Sequence, residues 1–222
     1  MAILSEKFRL LYICTAKTGS TSLSNVMLEK LEGEWLPEGH IWKQDKIAVD
    51  YKHSTLAQLV EYGLMTPEKL SRTNIFLTVR NPYSWVLSNY LFQCKCYNRY
   101  LEEAEKTPDW ILARIERIQE VSSQTFEEYV VAAFQNKQAS VYNHYIRGFE
   151  EKSKIEFIKI ENAQSEFSGY LQDLSIPIDV NIPHANSTLN KQVDYKDYYS
   201  SHSKAIVESA FEKDFANMGY HF

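Results

Sequence analysis

Short apolar runs alternate along the chain with stretches in which apolar residues recur at helical spacing. The apolar runs predict buried strands at about 9–15, 74–80 and 155–160, with a shorter strand near 46–50. Helical spacing predicts helices at 20–31, 54–62 and 82–97, from the end of the third long strand to about 174, and from about 202 to Met218. Strands that alternate with helices predict an α/β fold, with a central parallel sheet flanked by helices on both faces.

Length and cysteine content refine this expectation. A chain of 222 residues can form one sizeable core, so we expect a single domain over residues 1–222. Three cysteines cannot all pair, which argues against a disulfide scaffold and favours a reducing compartment. Cys94 and Cys96 have no second cysteine pair and no histidine at ligand spacing, so no metal site is expected.

The first predicted strand ends in a polar turn that leads directly into a helix. Lys17, Thr18, Gly19, Ser20, Thr21 and Ser22 make up this turn and the start of the helix. Unpaired backbone amides, hydroxyls and one ammonium group at a helix start can hold a phosphate or a sulfonate. The nucleoside triphosphate loop GxxxxGK[ST] is absent, because the lysine precedes the glycine. An ordinary strand-turn-helix junction with a serine cap stays open as the alternative for this segment alone.

A second polar motif follows the strand at 74–80. Arg80 stands at the carboxyl end of that strand, Pro82 suits the first turn of the next helix, and Ser88 lies about two turns into it. A guanidinium and a hydroxyl could hold a second phosphate. Carboxyl ends of parallel strands share one sheet edge, where α/β proteins bind ligands, so we expect both motifs to open there.

With both motifs in place, the chain resembles the sulfotransferases that use 3′-phosphoadenosine 5′-phosphosulfate (PAPS). The stretch from Val79 to Tyr90 is similar to the branch that sulfates carbohydrates and related hydroxyl compounds. Segments 155–162, 184–187, 214–215 and 219–222 also resemble that branch. The resemblance implies a P-loop-like fold in which residues 17–22 hold the 5′-phosphosulfate and Arg80 with Ser88 holds the 3′-phosphate.

His53, between the two motifs, is the candidate general base. Sulfuryl transfer to an alcohol needs a group that accepts the hydroxyl proton, and imidazole can do so near neutral pH. In similar sulfotransferases a histidine in such a segment is the presumed base. The alternative is a histidine that caps the helix predicted at 54–62. His144 has aromatic neighbours and could line an acceptor pocket or lie on the surface.

The resulting hypothesis is a PAPS-dependent sulfotransferase that acts on a hydroxyl of a carbohydrate or other small alcohol by in-line displacement, with His53 and Lys17 as catalytic residues and no metal. The alternatives are a small-molecule kinase with a divergent phosphate loop, which would need Mg²⁺, and a non-catalytic nucleotide-binding module. No code for the acceptor is readable in the sequence.

Charge and hydropathy bear on partners and location. The net charge of −5 disfavours nucleic acid as a partner, because such binding rests on a broad basic surface. The start of the chain shows no signal-peptide core, and no transmembrane segment is apparent. We therefore expect a cytoplasmic enzyme, or a soluble catalytic piece without its membrane anchor.

Overall fold

The structure is a computed structural model, and it describes residues 2–44, 46–50, 52–102, 109–151, 154–183 and 194–222. Contacts divide the chain into two compact units. The first comprises residues 1–80 with 141–186, and the second comprises 81–140 with 187–222. The expectation of a single domain over 1–222 stays a prediction.

The first unit contains a mixed sheet of five strands within the described residues. In chain order they are β1 (Ala2–Ser5), β2 (Leu10–Ile13), β3 (Glu34–Leu36), β6 (Asn74–Val79) and β7 (Ile155–Lys159). Their spatial order is β3-β1-β2-β6-β7. The three long strands predicted from the sequence are β2, β6 and β7, and they are parallel as expected. The sheet is not parallel throughout, because β1 pairs antiparallel with both β2 and β3.

The predicted strand near 46–50 lies outside this sheet. It is β5 (Lys46–Val49), which forms a two-stranded antiparallel hairpin with β4 (Ile41–Lys43). The hairpin leads into the turn that carries His53.

Helices of the first unit connect and cover these strands. They are α1 (Ser20–Lys30), α2 (Leu56–Glu61), α3 (Pro67–Ser71), α7 (Asn143–Ile146) and α8 (Ala163–Asp173). Thr55 caps α2 through a capping box with Gln58, so the cap predicted as one alternative for His53 is made by another residue.

Both faces of the central sheet are buried. Successive residues of β2 point to opposite faces, and all four of them are fully buried. On one face, Tyr12 and Phe76 stack with ring centroids 4.7 Å apart, and Phe167 of α8 packs on Phe76. Leu23 and Met27 of α1 belong to the same core. The expected helical cover of a buried sheet is therefore present on this face, and the opposite face is buried as well.

The second unit is helical where it is described. Its helices are α4 (Pro82–Glu102), α5 (Asp109–Ser123), α6 (Phe126–Phe134), α9 (Ser201–Ala210) and α10 (Glu212–Met218), with a 3-10 turn at Tyr195–Tyr198. Asn81 starts α4, because its Oδ1 accepts a hydrogen bond from the Tyr83 amide at 3.0 Å. Aromatic rings of Tyr199, Phe215 and Phe222 surround Tyr83 within this unit.

The carboxyl-terminal helix differs from its prediction in one respect. The sequence predicts one helix from about 202 to Met218, whereas the structure has two, because the backbone departs from helical geometry at Phe211. The predicted left-handed cap at Gly219 is present, with φ of 63°. Residues 184–193, which include the segment 184–187 of the family resemblance, lie outside the described residues.

Candidate active site

The loop between β2 and α1 has two residues in the left-handed region. Lys17 has φ of 63° and Gly19 has φ of 68°. This conformation is unfavourable for a residue with a side chain. At position 19 a Cβ atom would also lie 2.7 Å from the Ile160 Cδ1 atom. Glycine is therefore favoured at position 19 by backbone conformation, and a Cβ there would force the Ile160 side chain to move.

A buried network of hydroxyl groups holds this loop to the sheet. The Thr78 Oγ1 atom in β6 lies 2.6 Å from Thr18 Oγ1, 3.2 Å from Thr15 Oγ1 and 3.0 Å from the Tyr12 hydroxyl. Thr15 and Thr18 are also hydrogen-bonded to each other, at 2.6 Å. All four side chains are fully buried. The Thr18 hydroxyl thus serves the loop structure, and a ligand would meet Thr18 through its backbone.

Arg80 contacts the loop directly. Its Nη1 donates a hydrogen bond to the Lys17 carbonyl oxygen at 3.1 Å. The contact is possible because β2 and β6 are parallel neighbours, so their carboxyl ends meet at one sheet edge. The structure therefore brings together two residues that the sequence places 63 positions apart.

The first turn of α1 continues the loop. Gly19 is the residue that precedes the helix, and no side chain caps it, contrary to the serine cap of the alternative interpretation. Ser20 is half-buried, Thr21 is exposed and Ser22 is buried. The amides and hydroxyls of this turn are the groups that the sequence predicts for an anion.

His53 lies against the start of the same loop. Its Nδ1 is 3.3 Å from the Cys14 carbonyl oxygen, and its backbone amide donates to the Asp50 carbonyl at 3.2 Å. Because a carbonyl only accepts, Nδ1 carries the proton and Nε2 keeps its lone pair. Burial lowers the pKa of His53 below its usual 6.5. The ring is thus neutral near pH 7 and has an accepting nitrogen.

Tyr145 is a residue of this site that the sequence analysis missed. Its hydroxyl accepts a hydrogen bond from the Ala16 amide at 3.1 Å, and only 8% of its surface is exposed. The neighbouring His144, which the sequence analysis singled out, is exposed and contacts the edge of the Tyr145 ring. The signal available in the sequence was the pair of aromatic residues, Tyr142 and Tyr145, close to His144.

Ser88 belongs to the second unit and lies in α4. Its side chain is fully buried, and its Oγ atom has no hydrogen-bond partner among the described residues. A buried hydroxyl without a partner costs free energy and is typical of a group that awaits a ligand or water. This observation fits a ligand oxygen at Ser88.

Neither a cluster of metal ligands nor a membrane-spanning helix occurs in the described part of the chain. Within it, no group of three or more His, Cys, Asp or Glu side chains is arranged to hold a metal ion. None of the helices there has the length and apolar character needed to cross a membrane.

Comparison with known proteins decides the family. Residues 1–218 match the model of the sulfotransferase family. The chain belongs to the sulfotransferase family. This membership confirms the prediction of a PAPS-dependent sulfotransferase and covers nearly the whole chain.

Two further comparisons complete this result. The crystal structure of mouse sulfotransferase SULT7A1 complexed with PAP is similar, with a TM-score of 0.49 and 13% identity, over 96% of this chain and 87% of that chain. No curated protein matches this sulfotransferase in sequence. The roles of individual residues stay predictions.

Proposed function

We propose that this sulfotransferase moves the sulfuryl group of PAPS to a hydroxyl of a carbohydrate or another small alcohol by in-line displacement. One observation carries the proposal: His53 and Arg80 are both hydrogen-bonded to the short stretch Cys14–Lys17. The candidate base and the candidate guanidinium thus contact the backbone of one loop of the first unit, and Lys17 is a residue of that loop.

The local structure supports each residue that we propose to bind PAPS. Lys17, Gly19 and the first turn of α1 would hold the 5′-phosphosulfate with an ammonium group, backbone amides and hydroxyls. Arg80 and Ser88 would hold the 3′-phosphate, as the family resemblance implies. The Arg80 guanidinium, with five N–H donors, contacts the loop at the Lys17 carbonyl, and the Ser88 hydroxyl is buried without a partner among the described residues.

His53 would accept the proton of the acceptor hydroxyl at Nε2. Its Nδ1 is already bonded to the Cys14 carbonyl, and the lowered pKa keeps the ring neutral near pH 7. PAPS, when bound, supplies the sulfuryl group. The Lys17 ammonium and the loop amides would stabilise negative charge on the phosphate oxygen that departs.

An exposed tryptophan supports a carbohydrate as acceptor. Trp42 of β4 has 52% of its surface exposed, and the His40 ring contacts it with centroids 6.0 Å apart. His40 Nδ1 lies 3.5 Å from Asp50 Oδ1, and the backbone of Asp50 holds the His53 turn. A flat apolar ring with polar neighbours suits one face of a sugar ring. The hairpin that leads to the base would thus offer an acceptor platform.

The direct test is incubation with radiolabelled PAPS and a panel of sugars, lipids and phenols. We expect label on a carbohydrate or small alcohol, and a loss of about 10²–10⁴-fold in turnover for His53→Ala with donor affinity nearly intact. His202→Ala is the matched control, because that imidazole is exposed and has no assigned role, and it should keep wild-type turnover. Wild-type turnover of His53→Ala on its acceptor would refute the base assignment.

The same assay separates the alternatives and tests the platform. Transfer from radiolabelled ATP, or activity abolished by EDTA, would favour the kinase and contradict the expectation that no metal is needed. Donor binding without transfer to any acceptor would favour the non-catalytic module. Trp42→Ala should raise KM for a sugar acceptor and leave KM for PAPS unchanged. The cytoplasmic location also stays a prediction.

A further inference from the structure

The Tyr145 hydroxyl lies on the loop but uses only part of its hydrogen-bonding capacity there. A phenol can accept and can also donate one hydrogen bond. Among the described residues, the Tyr145 hydroxyl makes one hydrogen bond, in which it accepts from the Ala16 amide at 3.1 Å. Its own proton is therefore not used by that bond.

The position of this hydroxyl relates it to the candidate base. Ala16 lies two residues after Cys14, whose carbonyl holds His53, and immediately before Lys17. Both side chains contact the backbone of residues 14–16, His53 through Nδ1 at 3.3 Å and Tyr145 through its hydroxyl at 3.1 Å. Tyr145 is thus a polar group on the same stretch of backbone as the base and the ammonium.

The helix α7, which carries Tyr145, is itself held by several contacts. The Tyr145 amide donates to the Tyr142 carbonyl at 2.9 Å, and α7 packs on α2, the helix that follows the His53 turn. Tyr142 packs on Phe157 of β7, with ring centroids 4.8 Å apart. Tyr145 is thus anchored by its own backbone and by its hydroxyl on Ala16 without a ligand, which lowers the entropic cost of binding.

We propose that Tyr145 is a binding and catalytic residue of this sulfotransferase, whose hydroxyl accepts from Ala16 and donates its proton as a hydrogen bond to an oxygen of the sulfonate group of PAPS. The proposal rests on the proposed function, because it names a further ligand of the same donor. The hydroxyl stays protonated in this role, and no covalent bond to Tyr145 forms or breaks.

Protonation suits this role. Burial raises the pKa of the Tyr145 phenol above its usual value, so the group carries its proton throughout the physiological pH range. Charge-assisted hydrogen bonds to anionic oxygens are about twice as strong as neutral ones. One neutral donor at the sulfonate complements the charged groups that hold the phosphates.

The test compares PAPS with adenosine 3′,5′-bisphosphate (PAP), which lacks the sulfonate. Calorimetry without acceptor measures both affinities for the wild type and for Tyr145→Phe. We expect Tyr145→Phe to weaken PAPS by about ten- to a hundredfold and to leave PAP within about threefold, because the lost bond reaches only the sulfonate. Equal weakening of both ligands, or of neither, would overturn the proposal.

Tyr170→Phe is the matched control, because it removes a phenol hydroxyl from α8 of the same unit and should change neither affinity. Failure of the wild type to bind PAPS and PAP would refute the proposed function instead, so the two failures are distinguishable. Should Tyr145→Phe not fold, 3-fluorotyrosine at position 145 keeps the hydroxyl. Its fluorine resonance should shift with PAPS more than with PAP, and identical shifts would contradict the proposal.

Discussion

A single hydrogen bond decides which nitrogen of His53 can act as a base. Nδ1 donates to the Cys14 carbonyl, so Nε2 is the nitrogen with an available lone pair. Burial lowers the pKa of the ring, because the protonated form loses hydration. The candidate base is therefore neutral at neutral pH, with Nε2 able to accept a proton.

The lowered pKa of His53 predicts the pH dependence of the rate. A base must be unprotonated, so kcat/KM should rise with pH through a pKa below 6.5 and reach a plateau near neutral pH. Initial rates across the acid range at saturating PAPS check this. An acid limb centred at or above 6.5 would contradict the assignment.

The lowered pKa of His53 also makes the stability of the protein depend on pH. Between the lowered native pKa and 6.5 the unfolded chain binds the His53 proton and the native protein does not. This group therefore destabilises the native state as pH falls through 6.5. His53→Gln cannot titrate, so its free energy of unfolding should fall less than that of the wild type as the pH decreases over this range. Denaturant titrations at several pH values would measure the difference.

Gly19 is the second residue whose identity is set by local geometry. Gly19→Ala should destabilise the protein by about 1–3 kcal/mol and weaken PAP binding, because the left-handed backbone and the Ile160 side chain both oppose a Cβ atom. Chemical denaturation and calorimetry would measure the two effects. Gly39→Ala is the control, since a Cβ there meets nothing within 4 Å, and it should change stability by less than about 0.5 kcal/mol. Equal effects of the two substitutions would contradict the geometric explanation.

At the scale of elements, the candidate site depends on the parallel strands β2 and β6. Buried hydroxyl groups connect β6 to β2 and to the loop that follows β2. Thr78 is central, since its Oγ1 contacts Thr18, Thr15 and Tyr12. The network ties the loop before α1 to the strand that ends at Arg80. The loop conformation is thus a property of the sheet as well as of the loop sequence.

Removal of the central hydroxyl tests this coupling. Thr78→Val keeps the shape and leaves buried hydroxyls without their partner, so we expect a loss of about 1–3 kcal/mol in stability and weaker PAP binding. Thr78→Ser restores the hydroxyl and should recover most of the binding. If Thr78→Val bound PAP as the wild type does, the network would not hold the loop.

Sequence patterns predicted the elements that carry long apolar runs and missed those that depend on distant contacts. The strands β2, β6 and β7 were predicted because each has three or four apolar residues within a run of four to six. By contrast, β3 has three residues, too few for periodicity to show, and β1 becomes a strand of this sheet through its antiparallel pairing with β2 and β3. Tyr145 was missed because its partner, Ala16, is 129 positions away.

At the scale of the whole molecule, a chain with net charge −5 is proposed to bind a strongly anionic donor. Net charge sets only a long-range field, which salt screens within about 10 Å, whereas binding depends on the groups in contact. Lys17 and Arg80 concentrate positive charge at one loop. Family membership and this local charge therefore agree, although the net charge has the opposite sign.

The proposed roles of Arg80 and Ser88 predict which nucleotide this sulfotransferase prefers. The sulfotransferase should bind PAP far more tightly than ATP or AMP, because only PAP carries the 3′-phosphate proposed for Arg80 and Ser88. Arg80→Ala should weaken PAP by about 1.5–3 kcal/mol, the usual range for a charge-assisted hydrogen bond. Calorimetry measures the affinity, and the rise in melting temperature with ligand concentration gives an independent value.

Arg72→Ala is the matched control, since that guanidinium lies on the surface in a pair with Glu68 at 3.1 Å, and it should leave PAP affinity unchanged. Equal affinity for the three nucleotides, or binding that needs Mg²⁺, would remove the assignment of Arg80 to the 3′-phosphate.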